Sequence, residues 1–393
     1  MASVLSRWAS PELRASIFHF TVYLPGAVSS VYLAIWLAEH GIPAEQIGVI
    51  NALPVLLLLG INMLVGRLAD RASDWRSTIL IVSLLSGAAP IGLFFVHEFW
   101  GIVLVWLLCT IPGGLVPPLT DAATLRLAQR TGTDFGSMRA WGTIGYVIGT
   151  ALVGLAVTAY GTAAFVPLFF AVSVGRAIIG FTLPRFRAPA PVATLADANP
   201  EKPRLSSALK LWFVLPILGF ALVNSNNAVV GGFGALIWHD NGIPDYFIGP
   251  LLATAAAAEA ILMVMWRRFG GRVSARTMIL VACAASLLRF FIMAFNPPVA
   301  VLFVTQTLHA FSFGMGYFGV VHFIANWTSE DIAAEAQGFA TMLQQGAAFV
   351  SLMLFGVLVS HLGAGAFFAS ALFALLGMGC VLWSLKLKPP KDA

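Results

Sequence analysis

Asp121 and Arg139 stand 18 residues apart, an acid near the end of one apolar run and a base just inside the start of the next. Three more ionisable residues lie deep in apolar runs: Glu259, Arg289 and His309. An isolated charge at a bilayer centre costs at least about 2.5 to 3.5 kcal/mol on insertion scales, so each such group needs a partner or a task. A carboxyl beside a guanidinium has two uses. The pair can pin two helices, or the carboxyl can exchange a proton as the guanidinium moves toward or away from it. Both readings stay open for Glu259 with Arg289; for Asp121 with Arg139 the alternative to a pinning pair is a substrate or gating site. His309 reads either as a packing histidine or as a member of a proton path, with Ser312, Phe313, Gly316 and Tyr317 following on its face. The sequence holds no phosphate-binding loop, metal cluster or nucleophile-plus-base constellation, so an enzyme, a resident metal and a cofactor are not expected.

The elements that must position these residues follow from composition. Of 393 residues, 59% are hydrophobic and 10% charged, against roughly 25% charged in a soluble domain. Apolar runs of about 18 residues or more recur along the chain and predict a polytopic all-α membrane protein. Breaks at Pro, Gly and charge place spans near 13–38, 45–66, 77–96, 100–126, 136–160 and 162–183, then 210–238, 245–266, 276–295, 298–326, 335–360 and 364–386. Cys109, Cys283 and Cys380 fall inside apolar runs and read as small buried hydrophobes.

With the N-terminus inside, every loop Lys and Arg falls in an inner loop, from Arg67 to Arg276. This predicts both termini in the cytoplasm and makes the net charge of +5 a matter of membrane topology, not of nucleic-acid binding. The long polar connection, 184–209, separates an N-terminal six-helix part, 1–183, from a C-terminal one, 210–393. Two parallel six-span repeats joined inside are a layout of secondary transporters, with the site expected between them.

Motifs sharpen that expectation. The run GRLADRASDWR from Gly66 to Arg76 resembles the loop 2–3 signature of the major facilitator superfamily. FGSMRAWG, Phe135 to Gly142, resembles the F-G-x-x-R-x-(F/W)-G of proton symporters related to lactose permease. The spacing of Asp121 and Arg139, the TLHAF of Thr307 to Phe311, and Arg289 standing 20 residues before His309 are similar to that branch too. The phenylpropionate permease family fits better over the whole chain, through Pro117 to Ala122 and Glu259. Two departures stand out: Ser312 and Gln306 occupy positions where lactose permease has an acid and a Lys, and Glu259 corresponds to its eighth-helix acid by helix, not by position.

The resemblance implies a twelve-helix major facilitator fold and proton-coupled symport of a small organic acid, such as an aromatic carboxylate, by alternating access. The substrate-binding candidates are Asp121, Arg139, Arg289, His309, Tyr23, Trp141, Asn227, Phe313 and Tyr317. Glu259, Asp121 and His309 are the proton-coupling candidates, and Gly66, Asp70 and Arg71 the gating ones. The expected partners are a small-molecule substrate, protons and the lipid bilayer, in a monomer of the bacterial inner membrane. Sugar or nucleoside symport and drug efflux are the alternatives within transport; a receptor-like membrane protein is the alternative outside it. Arg176, in the inner part of its span, is expected to snorkel to the cytoplasmic surface.

Overall fold

The computed structural model describes residues 10–71, 74–186, 209–269, 273–328 and 330–387, with the backbone alone at 62–71, 267–269, 330, 331, 333 and 334. The described residues form helices and no strand. Among the described residues, eleven stretches are long and apolar enough to cross a bilayer. The last of these, Glu335–Leu387, has 53 residues, where about 20 suffice for one crossing. It holds two helices, Glu330–Leu362 and Phe367–Leu387, parted by a 3-10 turn at Gly363–Ala366 where Gly363 takes φ +53. The fold is therefore one of twelve transmembrane helices. Two helices run further than hydropathy predicts: the fourth to Thr131 and the eleventh from Glu330. Polar residues at these ends keep the helical hydrogen bonds going where apolar character stops.

Three local features position the charged residues. The first span is two helices, Pro11–Val22 and Leu24–Glu39, which meet at Tyr23. Pro25, at the start of the second, has no N–H to continue the ladder. Between the fourth span, Phe99–Thr131, and the fifth, Phe135–Tyr160, the chain turns at Gly132, whose φ of 68 closes one helix. Asp134 opens the next by accepting hydrogen bonds from the N–H groups of Gly136 at 3.2 Å and Ser137 at 2.8 Å. So short a turn makes the two helices antiparallel neighbours. In the tenth span, Val299–Trp327, a π-helical turn occupies Ala310–Met315, directly after His309. The seventh, Leu211–Asp240, has another at Val230–Gly234.

The contacts divide into two compact units. One comprises Met1–Ile42, Leu56–Asp197 and Ile248–Ala253; the other comprises Pro43–Val55, Ala198–Phe247 and Thr254–Ala393. In the first, Phe18, Val22, Ile79, Val116, Ala123 and Met138 form the centre of an apolar core. Its first and fifth spans touch backbone to backbone: a Cβ built on Gly145 would lie 2.0 Å from the carbonyl oxygen of Phe20. In the second unit the corresponding centre is Phe213, Phe220, Ile279, Val320, Phe323 and Val381. Leu104, Leu152, Val264 and Val304 are exposed, as side chains that meet lipid should be. Most of the predicted connection at 184–209 lies outside the described residues, as do the side chains of the gating candidates Gly66, Asp70 and Arg71.

Candidate functional site

Among the described residues, candidate ionisable side chains gather into a polar cluster in each unit. In the first, the antiparallel fourth and fifth spans bring Asp121 against Arg139. The Arg139 Nε lies 3.2 Å from Asp121 Oδ1 and 3.3 Å from Oδ2, and Nη2 donates to the Tyr23 hydroxyl at 2.7 Å. Tyr23 reaches the pair because it stands at the break in the first span. One turn earlier His19, fully buried, shares a hydrogen bond of 3.1 Å with the Thr124 hydroxyl through Nε2, while its Nδ1 is 3.9 Å from Asp121 Oδ1. The acid and base are each about one-third exposed, at 35% and 31% of the side chain.

The second cluster is a linear chain through the eighth, ninth and tenth spans. Arg289, 1% exposed, donates through Nη2 to Gln306 Oε1 at 2.6 Å and through Nη1 to His309 Nδ1 at 3.1 Å. His309 Nε2 lies 3.2 Å from Glu259 Oε2. A guanidinium can only donate, so Nδ1 accepts, Nε2 carries the imidazole proton, and Glu259 Oε2 accepts it. One positive and one negative charge are thus joined through a neutral ring, which is how a low-dielectric interior tolerates them. The His309 ring stacks on Phe313 at 5.5 Å, and Phe313 on Tyr317 at 6.1 Å.

Other candidates are placed separately. Asn227 donates to Asn224, which donates to Gln344 of the eleventh span, while Asn226 is fully buried and ties the seventh span to Ser286 and Ser370. Asn224 and Asn227, three residues apart, share one face. Trp141 follows Arg139 by two residues, about 200° around the helix, and is 46% exposed, so it does not join the Arg139 cluster. Arg176 corrects an expectation. It does not snorkel: only 3% of it is exposed, and it donates to Ser86 Oγ at 2.6 Å and the Val22 carbonyl at 3.4 Å. In the sequence Gln306 stands out only as a replaced residue; its position three before His309 on one helix face is the signal for its role.

The fold is that of solved membrane transporters. The crystal structure of the nucleoside transporter NupG superposes with a TM-score of 0.79 at 17% identity, covering 97% of this chain and 100% of that one. That of the D-xylose-proton symporter gives 0.73 at 14% identity, covering 96% and 97%. The chain belongs to the MFS_1 like family, whose profile matches residues 13–370. It is 25% identical to the "Probable 3-phenylpropionic acid transporter" of Escherichia coli (strain K12), over 95% of this chain and 96% of that protein. It is also 25% identical to the maltose permease of Geobacillus stearothermophilus, over 76% and 75%.

Proposed function

We propose that this transporter is a proton symporter for a small organic acid, an aromatic carboxylate of the 3-phenylpropionate kind, working by alternating access. It acts as a monomer in the bacterial inner membrane with both termini cytoplasmic. The observation that carries the coupling is the chain Gln306, Arg289, His309, Glu259. A proton arriving at Glu259 removes the charge that offsets Arg289 and turns an acceptor into a donor facing a donor. The chain must then rearrange. Ser312 stands where related symporters carry an acid, which leaves Glu259 as the carboxylate of this cluster, and the 3-phenylpropionic acid transporter similar over nearly the whole length supports the substrate class.

Asp121 and Arg139 form the solute-facing cluster of this proposal, with Tyr23 supplying an aromatic wall. A proton on Asp121 would free Arg139 for a carboxylate. The same pairing favours a second reading, because Arg139 and Arg289 are both already engaged with partners, as suits a neutral sugar or nucleoside. Competition binding on the purified protein separates the two. 3-Phenylpropionate is expected to displace a bound aromatic acid at least about 10-fold more effectively than its neutral amide, since a charge-assisted hydrogen bond contributes about 1.5 to 3 kcal/mol. Equal competition by acid and amide, or stronger competition by a sugar or nucleoside, would assign the arginines to the fold and the substrate to the neutral class.

A further inference from the structure

Arg176, buried in the sixth span, has no acid beside it. Among the described residues Arg176 forms no ion pair, and its Nε, shielded from solvent, has no hydrogen-bond partner. Its two bonds go to a hydroxyl, that of Ser86, and to the Val22 carbonyl at the break of the first span. Breaking or omitting the partner of a buried charge costs several kcal/mol, so a cation held in this way calls for an anion.

There is room for one. Arg176 lines a cavity of about 210 Å³ inside the first unit, between the first, third, fourth and sixth spans. Ser29, Thr110 and Ser173 supply hydroxyls, and Tyr23, Trp106 and Phe169 supply aromatic walls. Pockets for drug-sized molecules run about 300 to 1,000 Å³, so this one suits a single ring with a short acid chain and is small for a disaccharide. A guanidinium lining a cavity with aromatic walls and a few hydroxyls matches a carboxylate carried on a flat apolar body. Tyr23 adds a link: it lines this cavity, and its hydroxyl accepts from Arg139. An occupant that shifts the ring therefore disturbs the Arg139–Asp121 pair.

We propose that this cavity is the carboxylate-anchoring site of the transporter, with Arg176 holding the acid group of an aromatic carboxylate and Tyr23 reporting its presence to Asp121 and Arg139. The proposal rests on the organic-acid reading above and adds the residue that the reading lacks, a cation not already neutralised.

The test is binding of 3-phenylpropionate and of its amide to purified protein, followed by titration calorimetry. Arg176→Gln is expected to weaken the acid about 10- to 100-fold, the value of a charge-assisted hydrogen bond, and to leave the amide unchanged. Arg176→Lys keeps the charge and should recover part of the loss. Gly26→Leu serves where Arg176→Gln does not fold: Gly26 lines the cavity and a Cβ there meets nothing within 4 Å, so the larger side chain enters the free space and should exclude acid and amide alike. Acid binding at wild-type strength in a folded Arg176→Gln or in Gly26→Leu overturns this site and leaves the organic-acid reading standing. Wild-type protein that binds no 3-phenylpropionate but binds a sugar or nucleoside overturns both.

Discussion

Glu259→Gln is expected to abolish uphill accumulation of substrate while exchange of substrate across the membrane continues. A glutamine keeps the shape of the side chain and its Oε1 can still accept the His309 Nε2 proton, but it cannot take up a proton or carry a charge. The chain from Gln306 through Arg289 and His309 would then persist in one arrangement, and proton arrival could no longer change it. Counterflow of labelled against unlabelled substrate should stay within about a few fold of wild type, because no proton need cross for exchange. Accumulation against a gradient in this variant would move the coupling site elsewhere, with Asp121 the next carboxylate to test.

Gly145→Ala is expected to have a large effect on the fold. The new Cβ would lie 2.0 Å from the Phe20 carbonyl oxygen, where even a favourable carbon–oxygen contact needs about 3.3 Å. The fifth span would have to move off the first by more than about 1 Å, and overpacking of that kind costs about 1 to 3 kcal/mol or more. Because Arg139 lies six residues before Gly145 on the same helix, the shift would also pull the guanidinium from Tyr23. A lower thermal midpoint in detergent and a loss of transport are expected together. Gly346→Ala is the control: nothing lies within 4 Å of a Cβ there, so its midpoint should not fall. A Gly145→Ala protein as stable as wild type would mean that the two helices are not in backbone contact.

Much of this arrangement can be read in the chain before any coordinate is known, for physical reasons that differ from place to place. Twelve spans are legible because lipid demands long apolar runs; only helix ends, where polar residues continue the ladder, are misjudged. The Asp121–Arg139 pair is legible because a Gly and a capping Asp leave its two helices no choice but to lie side by side. Glu259 and His309 are less so, since the contact depends on how the eighth span packs against the tenth. Gln306 escapes notice because an amide gains its meaning only from the guanidinium it faces. Arg176 misleads outright. Its depth in the sequence permits snorkelling, but the cavity that retains it is built by Ser86, Gly113 and Ser173 on other turns and other helices, and small residues carry no local sign of the space they leave. The polar run Asn224 to Asn227 announces that something must be satisfied; which partners do so is a tertiary fact.

Coupling of an organic acid to a proton is the centre of this account, and proton movement in proteoliposomes tests it directly. With no pH or voltage difference imposed, an inward gradient of 3-phenylpropionate should alkalinise the outer medium as protons enter with the acid; the signal should vanish with Glu259→Gln, and the neutral amide should give none. Proton uptake driven by a sugar or nucleoside but not by the acid, or entry of the acid with no proton movement, would contradict it.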